Sequence, residues 1–195
     1  MKLNSSFYQR SDVVQIARQL IGKQLVSNIE GKVTAGLIVE TEAYSWKEKG
    51  CHAFNNRRTA RTEVMFANGG VAYVYLCYGM YNLFNIVTNK KDKAEAVLVR
   101  AVEPVLGIEH MRQRRGNVKD HQLSSGPGKL TQALGISRKH NGILLNDDQL
   151  WIEEGMKVKP AQLVTATRIG IDYAGEDANL PWRFYLRDNI WVSKK

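Results

Sequence analysis

Two residues at the end of one strand-like segment could carry acid–base chemistry. Glu42 and Tyr44 lie two positions apart in residues 32–44, so their side chains project from the same face of a strand. A carboxylate beside aromatic side chains tends to have a raised pKa, which suits a general base. A carboxylate at a strand end can also lie at a solvated rim, and the spacing alone favours this plainer interpretation.

A cluster of tyrosines indicates a surface that could meet a planar ring. Tyr73, Tyr75, Tyr78 and Tyr81 all fall within residues 73–81. Tyr73 and Tyr75 share one face of a strand, and we expect Tyr73 to belong to the core. Tyr78 and Met80 are predicted at the tip of a hairpin. An exposed apolar tip of this kind can act as a wedge that unstacks bases from the minor groove.

Several polar side chains interrupt apolar segments. Asn85 lies within residues 83–88, and a buried amide must either join a hydrogen-bond network or bind the edge of a ligand. Arg100 is a second polar residue of this kind, at the end of the apolar residues 96–99. His52, considered by itself, is more typical of a structural histidine than of a functional one. Basic side chains that could cover a solvated face or contact phosphates are Arg57, Arg58, Arg61 and Lys129.

The charge of the chain indicates a polyanionic partner. Lys and Arg number 28 against 19 Asp and Glu, which gives a formal net charge of +9 at pH 7. The excess is spread over both halves of the chain, as in a basic globular protein that neutralises phosphates. Charge alone does not separate DNA from RNA or from an acidic protein. The cysteines, Cys51 and Cys77, form no CxxC motif, so we expect no disulfide framework and no zinc site.

The patterning predicts the elements that position these residues. Asp12 is a helix N-cap with Gln15 three residues later, and Pro104 suits the first turn of a helix that reaches Arg115. The predicted helices are 13–20, 104–115 and a short helix ending at Gly135, and the predicted strands are 32–44, 71–76, 83–88, 96–101, 151–153, 162–171 and 183–186. This order predicts an α+β class with a single domain over residues 1–195. Its mainly antiparallel, curved sheet would be flanked by helices and carry a protruding tyrosine-bearing hairpin.

Nothing in the sequence indicates a membrane. No apolar run approaches the ~20 residues that cross a bilayer. The N-terminal segment lacks the apolar core of a secretory signal. We therefore expect a cytoplasmic protein with no membrane partner, and we also expect it to be a monomer.

Taken together, the segments resemble the alkyladenine (3-methyladenine) DNA glycosylase family. The matching segments are IVETEAY (38–44), YVYLCYGMYNLFN (73–85), VLVRAVEP (97–104), SSGPGKLTQALGI (124–136) and RFYLRDNIWVS (183–193). They follow the family order and span nearly the whole chain, which is far more specific than one short motif. The resemblance implies an enzyme that flips an alkylated or deaminated purine, such as 3-methyladenine or hypoxanthine, from double-stranded DNA. It would hydrolyse the N-glycosidic bond and leave an abasic site, without cofactor or metal.

The resemblance also implies roles for individual residues. Glu42 would be the general base that activates a water. The implied base pocket comprises Tyr44, His52, Tyr75, Asn85 and Arg100, with Asn85 disfavouring guanine by a clash with its exocyclic amine. The residues implied in intercalation and minor-groove contact are Tyr78, Met80 and Tyr81. A bacterial protein of this kind would be associated with the nucleoid.

The chain departs from the family pattern near the pocket. The segment between Tyr44 and His52 is slightly shorter than in the family, and Thr62 stands where the family often has an asparagine. These departures bear on the range of substrates and on the role of His52 more than on the reaction. No lysine is placed as a Schiff-base nucleophile, so we expect a monofunctional enzyme that does not cleave the strand.

Two other classes of function remain as alternatives. The basic surface and the aromatic hairpin could belong to a nucleic-acid-binding module without catalysis. A metal-dependent nuclease would instead use clustered carboxylates, for which the candidates are Asp147, Asp148, Glu153 and Glu154. Their turn setting favours solvated side chains.

Overall fold

A computed structural model describes residues 1–194 of the chain, and in this range the strands form one eight-stranded antiparallel sheet. The predicted α+β fold is confirmed. The strands are β1 (Gln24–Ile29), β2 (Lys32–Ser45), β3 (Ala72–Cys77), β4 (Tyr81–Thr88), β5 (Glu95–Leu106), β6 (Leu150–Glu153), β7 (Leu163–Ala166) and β8 (Arg183–Leu186). The α-helices are α1 (Ser5–Tyr8), α2 (Val13–Leu20), α3 (Ile108–Arg115) and α4 (Pro127–Leu134). Short 3-10 helices lie at Phe54–Asn56, Glu63–Phe66, Asp120–Gln122, Arg138–His140, Pro160–Gln162 and Asp172–Asn179.

The longest strand, β2, runs through the middle of the sheet. Most of its residues are buried, as expected for a strand that is covered on both faces. It pairs with β5 along one side, and with β1 and then β8 along the other. Glu42 consequently stands between Leu98 of β5 and Arg183 of β8, inside the sheet.

Two helices with clear end signals pack on the sheet. The Asp12 side chain accepts a hydrogen bond from the Gln15 amide at 2.9 Å, so the predicted N-cap of α2 is confirmed. Helix α4 has Pro127 in its first turn and ends before Gly135, which adopts a left-handed cap. Both helices bury their apolar faces in the main core.

The prediction that a helix begins at Pro104 is wrong. Strand β5 continues through Pro104 to its end, and α3 begins only at Ile108. Pro104 lies opposite Gly36 where the register between β2 and β5 shifts. A bulge of this kind accommodates a residue that has no N–H to donate to the ladder. The chain then turns into α3 through Gly107, whose φ is 69°.

One C-terminal strand, β7, is shorter than predicted, and strand β1 was not predicted. Strand β7 ends at Ala166, so residues 167–171 lie outside the sheet instead of continuing the strand. This departure places the loop that contains Arg168 and Ile169 beside β2, where both residues contact β2 side chains. Strand β1, which follows α2, had no counterpart among the predicted elements.

A second, smaller core lies apart from the main one. Its buried members come from residues 51–66, 71–73 and 94–96 and from Val87, and the half-buried Tyr44 and Tyr75 pack against it. This cluster therefore packs beneath the Tyr44 and Tyr75 side chains. No helix within residues 1–194 is both long enough and apolar enough to cross a membrane.

Candidate active site

Glu42 is fully buried, and hydrogen bonds hold both of its carboxylate oxygens. Oε1 accepts a bond from the Ile169 amide at 2.7 Å, and Oε2 accepts one from the Tyr44 hydroxyl at 2.8 Å. The Arg100 guanidinium forms an ion pair with Oε2 at 3.3 Å. The interpretation of Glu42 as a solvated rim carboxylate is therefore wrong, because β8 and the loop after β7 cover the end of β2.

Burial dominates the electrostatics of Glu42. It raises the pKa of this carboxyl above the ordinary value of 4.5, while Arg100, the Ile169 amide and the Tyr44 hydroxyl favour the charged form and act in the opposite direction. Burial and the neighbouring Glu42 raise the pKa of Tyr44, so its hydroxyl stays protonated and donates. A fixed carboxylate with a raised pKa can accept a proton from a bound water.

A second buried ion pair holds the loop that supplies the Ile169 amide. Arg168 and Glu48 form a bidentate pair with N–O distances of 2.7 and 2.8 Å. The same guanidinium lies 4.8 Å from the centroid of the Tyr44 ring. Arg168 therefore holds both the loop and the Tyr44 ring in place around Glu42, in the two-point geometry that makes arginine–carboxylate pairs directional.

A cavity of about 430 Å³ opens beside Glu42. Tyr44, Arg100 and Ile169, which supply the contacts to Glu42, all line this cavity. Its size is that of a typical small-ligand site, and its wall is largely aromatic and apolar with a few polar groups. The structure brings all the predicted pocket residues into this wall: Tyr44, His52, Tyr75, Asn85 and Arg100.

An aromatic network forms one side of the cavity. His52 Nδ1 lies 3.0 Å from the Tyr73 hydroxyl, and its Nε2 lies 3.3 Å from Nη2 of Arg61. The His52 ring meets the Tyr75 ring edge-on, with centroids 4.6 Å apart. Burial, and then the charge of Arg61, lower the pKa of His52 to about 4, so the imidazole is neutral near pH 7. Tyr73 is buried as predicted, and it also lines the cavity.

Asn85 combines the two interpretations that the sequence allows. Its Nδ2 donates a hydrogen bond to the Tyr73 carbonyl at 3.2 Å, across the β3–β4 pair. This bond fixes the orientation of a side chain that is only 5% exposed. Since Asn85 also lines the cavity, its amide is held in position to meet a ligand.

The tip of the β3–β4 hairpin exposes its apolar side chains. Tyr78 is 87% exposed, and Met80 and Tyr81 are exposed as well. Tyr78 adopts a positive φ of 50°, an uncommon conformation for a bulky residue. Tyr78 also lines the mouth of the cavity, which links the tip to the pocket.

The basic residues predicted to contact phosphates occupy different settings. Arg58 forms surface ion pairs with Glu63 and Asp92, whereas Arg61 lines the cavity. Arg57 and Lys129 make no side-chain hydrogen bond or ion pair within the described residues 1–194. Contacts to phosphate stay predictions for all of them.

The carboxylates that a metal-dependent nuclease would use each bind a different partner within the protein. Asp148 pairs with Lys2, and Glu154 pairs with Lys23. Glu153 accepts a hydrogen bond from the Trp151 indole. In the part of the chain that the structure describes, no three His, Cys, Asp or Glu residues are grouped to hold a metal ion. This arrangement gives the nuclease alternative no support.

Comparison with known proteins identifies the family. The profile of the methylpurine-DNA glycosylase family matches residues 6–190. The chain belongs to this family. A relative from Natranaerobius thermophilus is 46% identical over 99% of both chains, and one from Clostridium perfringens is 44% identical over the full length of both. Both relatives carry 3-methyladenine DNA glycosylase in their names. As a member of the methylpurine-DNA glycosylase family, the chain is a DNA repair enzyme that hydrolyses N-glycosyl bonds in DNA.

Some residues of this glycosylase site escaped the sequence interpretation. The Ile169 amide contacts Glu42 through its backbone, which no side-chain pattern reveals. Arg168 was hidden in a segment predicted as one continuous strand. Gly170, with a φ of 76°, was the available sign that the strand ends earlier. Arg61 is predicted from the sequence only as a phosphate contact, and its position in the cavity wall was not predicted.

Proposed function

We propose that this glycosylase flips an alkylated or deaminated purine out of duplex DNA into the cavity and cleaves it with a water activated by Glu42. The observation that carries the proposal is the arrangement of Tyr44, Arg100 and Ile169. Each of them contacts the buried Glu42 carboxylate and also lines the cavity. A base held there would bring its sugar close to the carboxylate.

Extrusion of the base is a physical requirement of this chemistry. The glycosidic bond of a stacked nucleotide is inaccessible, so the nucleotide must leave the duplex, at a cost of a few kcal/mol that is smaller for a damaged base. The exposed Tyr78 ring at the hairpin tip is suited to fill the vacated space. Because Tyr78 also lines the cavity mouth, one element could open the duplex and receive the base.

Glu42 would act on the sugar side of the bond. Cleavage develops positive charge on the sugar, in analogy to glycoside hydrolysis. The Glu42 carboxylate would take a proton from the attacking water and stabilise this charge. We place the water at the end of the cavity bounded by Tyr44, Arg100 and Ile169. The new bond joins the water oxygen to C1′, and the purine leaves with the bonding electron pair.

Activation of the leaving purine depends on the lesion. Alkylated purines such as 3-methyladenine are already cationic and leave as neutral bases. Hypoxanthine is neutral and requires a proton from water or from the protein. His52 does not supply that proton readily, since its pKa of about 4 keeps it neutral.

The proposed enzyme is monofunctional. A strand-cleaving glycosylase uses an amine to form a Schiff base with the sugar. In the described chain, no lysine lines the cavity. Water is then the nucleophile, and the product is an intact strand with an abasic site.

The test is release of the base from defined substrates. The protein is incubated with duplexes that carry hypoxanthine or ethenoadenine, and with methylated DNA that contains 3-methyladenine. Abasic sites are detected by strand cleavage with alkali, and a sample without alkali reports strand cleavage by the enzyme. We expect alkali-dependent cleavage only. Binding to these duplexes without release of any base would support the alternative of a non-catalytic binding module.

A further inference from the structure

Arg61 lies in the cavity wall, against an aromatic ring. Its guanidinium lies 5.0 Å from the centroid of the Tyr75 ring. The same group lies 3.3 Å from His52 Nε2 and lines the cavity. A cation therefore already lies against one of the aromatic rings of the cavity wall.

The contact with Arg61 determines the tautomer of His52. A guanidinium can only donate hydrogen bonds, so His52 Nε2 must be the acceptor. The ring proton is then on Nδ1 and is donated to the Tyr73 hydroxyl at 3.0 Å. His52 consequently faces Arg61 as a neutral ring, and the positive charge in this part of the wall belongs to Arg61.

The charge of Arg61 is balanced differently from that of Arg100, the other arginine in the wall of this cavity among residues 1–194. Arg100 is paired with Glu40 and Glu42. Among residues 1–194, no carboxylate lies within ion-pair distance of Arg61, so its charge is not neutralised by the fold.

Thr62 fixes the turn that directs Arg61 to the cavity. The Thr62 hydroxyl accepts a hydrogen bond from the Thr59 amide at 2.9 Å and donates to the Arg57 carbonyl at 3.1 Å. Thr62 itself is buried. Thr62 therefore sets the backbone next to Arg61.

We propose that Arg61 is a specificity-determining residue, which disfavours cationic purines in the cavity relative to neutral ones. A cationic lesion on the Tyr75 side meets a second cation at short range, and the ring face covered by Arg61 offers it no cation–π stabilisation. A neutral purine with acceptor atoms on its edge meets a potential donor instead, since arginine pairs well with such edges. The inference rests on the proposed function.

The experiment compares two lesions of different charge. Release of 3-methyladenine from methylated duplex DNA and of hypoxanthine from a defined duplex is measured at saturating enzyme for the parent and for Arg61→Gln, Arg61→Lys and Arg57→Gln. Arg57→Gln removes the same charge from the same segment but does not line the cavity. The quantity of interest is the ratio of the two rate constants.

We expect Arg61→Gln to raise the ratio of 3-methyladenine to hypoxanthine release by roughly two- to fivefold, the size of a partly exposed cation–π contact. Arg61→Lys keeps the charge and should retain the parent ratio, as should Arg57→Gln. An unchanged ratio in Arg61→Gln, or an equal loss on both lesions, would overturn the inference and leave the proposed function intact. Release of neither lesion by the parent would instead overturn the proposed function.

Discussion

At the scale of the residue, Glu42 shows how neighbours decide the state of one carboxylate. Burial alone disfavours its charge, while the Arg100 ion pair and two hydrogen bonds favour it. The result is a carboxylate that is held in one orientation and has a raised pKa. The fixed orientation lets the carboxylate accept a proton from a water at one position, and the raised pKa makes it a stronger base.

The pH dependence of base release follows from this balance. The Glu42 carboxylate must be ionised to accept a proton, and its pKa lies above the ordinary 4.5 because of burial. We therefore expect the release of 3-methyladenine, which needs no proton from the protein, to fall on acidification with an inflection above 4.5. Single-turnover rates across pH, with circular dichroism as a control for folding, measure this. A rate that stays constant down to pH 4.5 would contradict it.

Asn85 is expected to exclude normal guanine from the cavity. Its amide is fixed by the bond to the Tyr73 carbonyl and lines the wall. Asn85→Ser shortens this side chain and should increase the release of guanine from undamaged duplex, by on the order of tenfold if one steric clash is removed. Asn82→Ser, on the same strand but outside this cavity wall, serves as the control. No gain in guanine release would assign Asn85 to the hydrogen-bond network alone.

At the scale of the element, the β3–β4 hairpin carries both pocket residues and the tip that we propose inserts into DNA. Its inner residues, Tyr75 and Asn85, line the cavity, while its tip exposes Tyr78. Tyr78→Ala should weaken binding to a lesion duplex several-fold more than binding to a single strand, because only the duplex has a gap to fill. Ile190→Ala, which also truncates an exposed apolar side chain, should affect neither. Equal losses on duplex and single strand would argue against intercalation.

The turn between β5 and α3 offers a test of the fold. Gly107 and Gly135 both adopt the left-handed conformation, with φ of 69° and 72° and ψ of 32° and 18°. A Cβ at Gly107 would lie 2.3 Å from the Val33 carbonyl oxygen, whereas one at Gly135 would meet only the side chain of Arg114, at 3.0 Å. Gly135→Ala should cost about 1–2 kcal/mol of stability, mainly from backbone strain, and Gly107→Ala clearly more. Equal losses in denaturant unfolding would contradict the packing at Gly107.

Elements whose pattern is local are predictable from the sequence, whereas those decided by distant contacts are not. Helix α2 was predictable because its cap, Asp12, lies beside it. Strand β1 was not, since Ser27 interrupts its apolar pattern. Ser27 is nevertheless fully buried, because its hydroxyl bonds to Thr34 and to the Leu134 carbonyl from other elements. The contact of the Ile169 amide with Glu42 is likewise not predictable, because it joins two segments that are distant in the sequence.

At the scale of the whole molecule, the net charge of +9 and the cavity have different roles in the proposed function. A basic protein attracts duplex DNA through counterion release, without regard to sequence. In the proposed mechanism, specificity then comes from the cavity, where the aromatic wall and the buried Glu42 carboxylate would act on one base. The α+β sheet links the two functions, because β2 and the β3–β4 hairpin belong to the same sheet.

The most direct test of this account compares Glu42→Gln with Glu95→Gln. Glu95 is another buried carboxyl of the same sheet, but its partners, Ser45 and Asn89, do not line the cavity as those of Glu42 do. Glu95→Gln should release a lesion base at nearly the parent rate. Glu42→Gln should bind the lesion duplex as tightly as the parent but release the base about 10²–10⁴-fold more slowly. Release by Glu42→Gln at the parent rate would contradict the role of Glu42 as the base.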